Sequence, residues 1–201
     1  MKKLITLIVI LLLVACKTET KKDNNETVIT QPKEEVSTSK PKDNNETYLC
    51  RINSKDWAYT KASGIVSTHA KTKKRTALIT FKKKLEKGSE HLQLTYDAVT
   101  FQLIAVSVQL RLPKKDGKLS TAYFDLKPET RKRHPESELS GSIDLSNASV
   151  TIGTAEITNL NINYEKDKLK NAEDSVLNIT GLKFENIGYS DTDKLVNTYK
   201  N

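Results

Sequence analysis

Apolar and polar residues alternate with a period of two over most of the chain after residue 47. Ala77, Ile79 and Phe81 are each separated by one residue, and the segment 92–96 repeats this pattern after a Gly-containing turn. A period of two is typical of strands with one buried face. Because such segments follow one another without helical patterns between them, the sequence predicts an all-β fold, an antiparallel sandwich or barrel.

The predicted domain contains about eight to ten short strands, at a strand spacing typical of such folds. One long β-prone segment, Val99–Leu112, changes the parity of its apolar positions near Leu103 and Ile104, which predicts a β-bulge there. Near the C-terminus, Ser190 and Asp193 have the spacing of a capping box, so we expect one short C-terminal helix. The pattern does not distinguish a sandwich from a barrel.

The first sixteen residues have the layout of a secretory signal. A basic start, Met1-Lys2-Lys3, precedes the apolar run Leu4–Val14, and Ala15-Cys16 closes it. Eleven helical residues span only about 16 Å, roughly half of the hydrocarbon core of a bilayer. We therefore expect this run to be removed as a signal peptide, residues 1–15, rather than to remain as an anchor.

The segment Leu13-Val14-Ala15-Cys16 resembles the lipobox of bacterial lipoproteins. This resemblance implies cleavage between Ala15 and Cys16 and attachment of fatty acyl chains such as palmitate to Cys16. Several acyl chains on one residue give stable membrane attachment. Lys17 follows where an Asp favours inner-membrane retention, so the resemblance implies an envelope lipoprotein of the outer membrane. The alternative is an ordinary signal peptide that happens to end in cysteine.

Residues 16–46 have the composition of a disordered linker after the lipidated cysteine. They are rich in Lys, Thr, Glu, Asn and Asp, and they contain one copy of the repeat Lys-Asp-Asn-Asn-Glu-Thr at 22–27 and most of a second at 42–47. Such a segment buries too little apolar surface to offset the entropy of ordering. We therefore expect residues 47–201 to form a single all-β domain on a flexible tether.

Charge is distributed unevenly within that domain. Residues 47–134 carry a net charge of +12, whereas residues 135–201 carry −5. A clustered positive charge predicts a surface for an anionic envelope component or an acidic partner protein. The alternative is a set of solvated loops, or loops that the acidic half neutralises. Stacking aromatics are not interleaved with the basic residues, so nucleic acid is not the expected partner. The candidate residues are Lys71, Lys73, Lys74, Arg75, Lys82, Lys83, Lys84, Lys114, Lys115, Arg131, Lys132 and Arg133.

The sequence contains no recognisable catalytic or cofactor motif. His69, His91 and His134 lack metal-ligand spacing, and the seven glycines form neither a phosphate-binding loop nor a nucleophile elbow. With Cys16 assigned to lipid, Cys50 has no partner for an internal disulfide, and we expect it to be a buried residue of the first strand. We therefore predict no catalytic residues, no metal and no cofactor, and a protein that is not an enzyme.

The segment Ile52-Asn53-Ser54-Lys55-Asp56-Trp57 resembles the opening segment of small β-rich lipoproteins from Gram-negative envelopes, in which Gly usually stands at the position of Ser54. Trp57 and Tyr59 lie on the same strand face, as a sugar-stacking pair or, by our preference, as core aromatics. The sequence thus predicts a lipid-anchored envelope protein with a non-catalytic binding domain. The alternative is a lipocalin-like carrier of a small apolar ligand. The oligomeric state stays open.

Overall fold

The computed structural model describes residues 45–198. The predicted signal peptide, Ala15, Cys16 and most of the predicted linker lie outside these residues. The described part contains eleven strands and one short α-helix, which is consistent with the predicted all-β fold with a C-terminal helix. The elements are β1 (Thr47–Ile52), β2 (Lys55–Tyr59), β3 (Lys61–Thr68), β4 (Arg75–Lys84), β5 (Ser89–Asp97), β6 (Leu103–Pro113), β7 (Leu119–Leu126), β8 (Glu138–Ser140), β9 (Ile143–Asp144), β10 (Val150–Asn161), β11 (Val176–Asp191) and α1 (Thr192–Thr198).

The strands form two layers of a sandwich that share the long strand β11. The first layer has the order β2-β1-β11-β10, with β8 and β9 paired to β10, and the second has the order β3-β4-β5-β6-β7. The end of β11 leaves the first layer and pairs with β3, where Tyr189 lies opposite Gly64. This β3–β11 pair is parallel, whereas the other strand pairs are antiparallel as predicted.

Aromatic side chains fill the space between the two layers. The ring of Phe184 from β11 lies 5.5 Å from that of Phe81 on β4 and 6.3 Å from that of Tyr96 on β5, measured between ring centroids. The buried Tyr96 hydroxyl donates a hydrogen bond to the carbonyl of Thr154, at 3.0 Å. Burial of such large apolar side chains is the main term that stabilises a sandwich of this kind.

The alternation in the sequence corresponds to the two faces of each strand. In β4, Ala77, Ile79 and Phe81 are fully buried and their neighbours are more exposed. The predicted bulge is confirmed, since the register between β5 and β6 shifts between Thr95 and Tyr96, opposite the segment 103–105. The segment Val150–Asn161 forms one continuous strand, β10, with register shifts of its own.

The predicted strand segment Val99–Leu112 is wrong at its start, because Val99 and Phe101 lie outside any strand. The Asp97 carboxylate accepts hydrogen bonds from the backbone N–H groups of Val99 and Thr100, at 2.8 and 2.9 Å, and so closes a tight turn. Phe101 has a φ of 62°, which a strand does not accommodate, and both apolar side chains are exposed. β6 therefore begins at Leu103.

The C-terminal helix is present, but its predicted cap is wrong. Ser190 belongs to β11, and α1 begins at Thr192. The Asp193 carboxylate accepts hydrogen bonds from the hydroxyl and the backbone N–H of Thr68 on β3 and pairs with Arg75, so it is not part of a capping box. Within the described residues, no helix has the length and apolar character needed to cross a membrane.

Candidate functional site

The basic residues predicted as a binding surface lie at two opposite ends of the second layer. Because β4 and β5 pair as a hairpin and so do β6 and β7, the connections 84–89 and 113–118 lie at one end, which we call the upper end. The connections 68–75 and 126–138 lie at the other, lower end. β4 has ten residues, so about 30 Å separates its ends at the usual rise per residue. The predicted residues therefore do not form one patch.

Arg75, at the lower end, is held by acidic groups from the C-terminal part of the chain. Its guanidinium contacts the Asp191 carboxylate at 2.7 Å and also pairs with Asp193. The hydrogen bonds from Thr68, that from its hydroxyl above all, together with the charge and hydrogen bond of Arg75 hold the pKa of the Asp193 carboxyl below its usual value, although its partial removal from solvent acts in the opposite direction. Arg75 is therefore part of the fold, and its charge is not free for a partner.

Lys114, at the upper end, is also neutralised. Its ammonium group lies 2.6 Å from the Glu165 carboxylate, which Lys168 contacts at 2.9 Å on its other oxygen. Hydrogen bonds from these two lysines lower the pKa of Glu165 to about 2. The expectation that the acidic half neutralises some basic loops is therefore correct at Arg75 and at Lys114.

Three lysines on the outer face of the second layer have no such partner. Lys61 lies directly opposite Lys82 in the β3–β4 pair, and Lys84 follows two residues later on the same face of β4. All three side chains are exposed, and none forms an ion pair with a described residue. Like charges directly opposite each other on a sheet face destabilise it. We call Lys61, Lys82 and Lys84 the lysine row.

His91 continues this face on the next strand. It lies opposite Lys82 in the β4–β5 pair, and its Nε2 lies 2.8 Å from the Ser89 hydroxyl. Partial burial, together with the charge of Lys82, lowers the pKa of His91. The neutral ring then leaves the lysines as the charges of this face. Sequence reasoning missed Lys61, because an isolated lysine joins the face only through the register of β3.

The other predicted basic residues do not belong to the lysine row and lie on the inner face of β4 or at the two ends of the second layer. Lys83 points to the opposite, inner face of β4, where Glu90 is its cross-strand neighbour. Lys115 lies in the connection at the upper end. The exposed remainder lies at the lower end, and none of it forms an ion pair with a described residue: Lys71, Lys73, Lys74, Arg131, Lys132 and Arg133.

The segment 52–57 forms a tight β-hairpin at the upper end. Asn53 and Ser54 connect β1 to β2 with φ angles of 48° and 65°, the left-handed conformation that a two-residue hairpin of this type requires. The Asn53 side chain donates to the carbonyl of Val176 at 2.9 Å and accepts from the N–H of Asn178 at 2.8 Å. Asn53 thereby fixes the hairpin to the start of β11.

This hairpin forms one wall of a cleft that enters the sandwich between β1, β2 and β6. The cleft has a volume of about 140 Å³, and Trp57, Leu110, Leu112 and Leu177 contribute its apolar surface. Glu90 lies in the same cleft. Sequence reasoning singled out Trp57 but not this cleft, because its walls come from distant parts of the chain.

Three carboxylates, those of Asp56, Glu90 and Asp174, line the cleft, and the last two are partly or largely buried. One oxygen of Glu90 accepts a hydrogen bond from the Trp57 indole N–H at 2.9 Å, and the other accepts from the backbone N–H of Arg111 at 3.1 Å. A short 3₁₀ helix, Ala172–Ser175, carries Asp174, which is only 9% exposed and accepts a hydrogen bond from the Asn171 side chain at 3.1 Å. The carboxylates of Glu90 and Asp174 are both fixed by neutral donors.

The single cysteine of the domain is buried, as expected. Cys50 is fully inaccessible in β1, and burial, aided by the charge of Glu156, raises the pKa of its thiol to about 12. A protonated, inaccessible thiol is unreactive. The preference for core aromatics is likewise confirmed, because Trp57 is buried and Tyr59 packs on Phe81 with ring centroids 5.1 Å apart.

The histidines have local partners within their own segments. His69 Nδ1 contacts Thr72 at 3.2 Å, and His134 lies 3.9 Å from Glu136. Among residues 45–198, no three His, Cys, Asp or Glu side chains are grouped so as to hold a metal ion. The described residues thus offer two surfaces of interest, the lysine row and the cleft.

No family model, no curated protein and no solved structure matches the chain.

Proposed function

We propose that the chain is a lipid-anchored protein of the bacterial envelope, of the outer membrane, whose β domain binds an anionic partner without catalysing a reaction. The segment Leu13-Val14-Ala15-Cys16 supports the anchor, because it has the residues of a lipobox directly after an apolar run. In this proposal Cys16 carries the lipid, and residues 17–46 connect the lipid to the domain.

The lysine row is the observation that carries the binding function. Adjacent strands lie about 4.8 Å apart, and residues two apart on one strand lie about 6.7 Å apart. Lys61, Lys82 and Lys84 therefore present closely spaced positive charges that no carboxylate of the described residues neutralises. A ligand with repeated negative charges relieves their mutual repulsion, and this gain adds to the attraction of each charge.

The packed interior supports a partner on the surface rather than a ligand inside the domain. Phe81, Tyr96 and Phe184 occupy the space between the layers, where a carrier needs a cavity. The carrier function therefore stays a prediction from sequence, and the lysine row is the stronger candidate.

The anchor is tested by Cys16→Ser in the full chain expressed in a Gram-negative host. Without the thiol no acyl chain can be attached, so we expect the mature-size protein to disappear from the membrane pellet and the acyl label to be lost. Fractionation with incorporation of labelled palmitate measures both. Retention of label in the variant contradicts a lipid on Cys16.

Charge reversal tests the binding surface. Lys82→Glu/Lys84→Glu replaces two positive by two negative charges on the outer face, and we expect the affinity for sodium polyphosphate to fall by about tenfold or more. The wild-type affinity itself should fall as salt rises from about 50 to about 300 mM, because screening weakens exposed charges. Fluorescence anisotropy of labelled polyphosphate, with the full chain in non-ionic detergent, measures both effects.

A matched control separates this surface from net charge. Lys71→Glu/Lys132→Glu makes the same change in net charge at the lower end, about 30 Å away along the strands. We expect the control to retain most of the affinity. Equal losses in both double variants indicate a response to overall charge and contradict a site at the lysine row.

A further inference from the structure

Three carboxylates and the ammonium group of Lys55 line the cleft at the upper end, and Glu90 and Asp174 are the two carboxylates that form no ion pair with a described residue. The Glu90 carboxylate is half buried and the Asp174 carboxylate is nine-tenths buried, and their hydrogen bonds come from an indole, a backbone amide and a side-chain amide. Lys83 is the cross-strand neighbour of Glu90 but forms no ion pair with it. Asp56, the third carboxylate of the cleft, differs, because it is exposed and paired with Arg51 at 3.1 Å.

A carboxylate removed from water without a cation is costly to the folded state. Neutral hydrogen bonds reduce this cost but do not cancel the charge, and two like charges that line one cleft repel each other. A cation within the cleft would offset both terms. The same cleft is walled by Trp57, Leu110, Leu112 and Leu177, so the cation that fits it best carries a short apolar chain.

We propose that this cleft binds an alkylammonium group, a primary ammonium on a short aliphatic chain. The ammonium donates to Glu90 and Asp174, and the chain packs against the apolar wall formed by Trp57 and the leucines. The volume of about 140 Å³ suits a chain of about four carbons rather than a larger ligand. This site is independent of the lysine row, because it opens between the layers and has the opposite charge.

The ammonium group of Lys55 competes with the ligand for the negative charge of the cleft. Lys55 also lines the cleft, directly opposite Ile52 in the hairpin, and its side chain is exposed and forms no ion pair with a described residue. Its long side chain and single positive charge disfavour a second cation at the mouth. Removal of this charge therefore strengthens the binding of an alkylammonium, whereas removal of either carboxylate weakens it.

Trp57 makes the test specific, because it is the only tryptophan of the chain. Titration of the full chain in non-ionic detergent with n-butylammonium chloride should change the Trp57 emission in a saturable way. Sodium chloride at equal ionic strength, n-butanol and sodium butyrate should not reproduce this change. A saturable response to n-butanol or to butyrate with the same affinity overturns the proposal, since the carboxylates then contribute nothing.

Substitutions locate the site. Glu90→Gln and Asp174→Asn each keep the size of the side chain and remove its charge, and each should weaken n-butylammonium binding by about tenfold. Lys55→Met should tighten it by a few-fold. Glu129→Gln, an exposed carboxylate at the lower end, is the matched control and should bind as the wild type does.

Affinities are taken from the midpoints of the titrations, because Glu90→Gln alters the indole's own hydrogen bond and hence the baseline emission. Near-ultraviolet circular dichroism checks that each variant is folded, and Asp174→Asn carries the test if Glu90→Gln is not. Unchanged affinity in a folded carboxylate variant overturns the proposal. Nα-acetyl-lysine methylamide, titrated in parallel, distinguishes two sources of the alkylammonium ligand. Binding of both probes indicates a lysine side chain, and binding of butylammonium alone indicates a free amine.

Discussion

Arg75 and Lys82 lie on the same strand, seven residues apart, but their charges have different roles. Arg75 at the lower end contacts Asp191 and Asp193, which follow it by more than a hundred residues. Lys82 near the upper end lies opposite Lys61 and contacts no carboxylate within residues 45–198. A basic segment in a sequence thus combines charges that stabilise the fold with charges that remain available, and only the three-dimensional pairing separates the two kinds.

The largest effect that distinguishes the two residues is expected at Arg75. Arg75→Met removes the guanidinium from Asp191, whose side chain is only 6% exposed, and leaves a buried carboxylate with Lys194 at 3.7 Å as its remaining cation. We expect the free energy of unfolding to fall by about 2–3 kcal/mol. Urea unfolding, followed by circular dichroism, measures it.

Lys82→Met is the control for that experiment, because it removes one positive charge from the same strand. We expect the free energy of unfolding to change by less than about 0.5 kcal/mol, the usual range for an exposed residue without specific contacts. Similar losses in both variants would show that Arg75 is no more integral to the fold than Lys82 is.

The second effect concerns the loss of folding stability at low pH. The pKa of Asp193 is lowered in the folded chain, so its ionised form adds stability above the ordinary Asp pKa of about 4, and this contribution is lost as pH falls through the lower folded value. In Asp193→Asn this part of the acid sensitivity should be absent. Thermal melts between about pH 5 and about pH 2.5 should therefore show a shallower decline for the variant.

Glu165 serves as an internal reference in the same pH range. Its pKa of about 2 gives the wild-type chain a further acid-sensitive contribution, which Asp193→Asn leaves intact. The variant should therefore retain part of the decline, and only the double variant with Glu165→Gln should lose most of it. Parallel curves for wild type and Asp193→Asn contradict a stabilising role of Asp193.

The smallest effect is expected within the lysine row. Lys82→Gln removes the repulsion between Lys61 and Lys82, so at low salt it should raise the free energy of unfolding by about 0.3 kcal/mol. High salt screens the repulsion in the wild type, and the difference should disappear. A gain that persists at about 1 M salt would have a cause other than charge.

The sequence predicts the strands better than it predicts their arrangement. The alternation of apolar residues locates β4 and β5 and even the bulge before Val106, since these depend on neighbours in the chain. It fails at Val99 and Phe101, where the Asp97 side chain closes a turn that hydrophobicity does not encode.

The candidate sites show the same limit. The lysine row can be recognised only from the register of β3 against β4. The division of the basic residues between two ends can be recognised only from the order of the strands. For the cleft, the sequence offered one signal, the segment 52–57, in which Asn53 forms the turn and Trp57 the wall. Glu90 and Asp174 join them from 33 and 117 residues beyond Trp57, so periodicity and motif spacing could not bring these carboxylates together.

The sharing of β11 between both layers has a consequence for the order of folding. β1 pairs with β11, where Arg51 lies opposite Thr180, and β3 pairs with the end of the same strand, where Gly64 lies opposite Tyr189. During synthesis β1 and β3 therefore cannot form these pairs until residues more than a hundred positions later have emerged. The closure of such long loops slows folding. Until then, β1 and the outer edge of β3 expose unpaired backbone, and a chaperone that covers these edges would protect the nascent chain from aggregation.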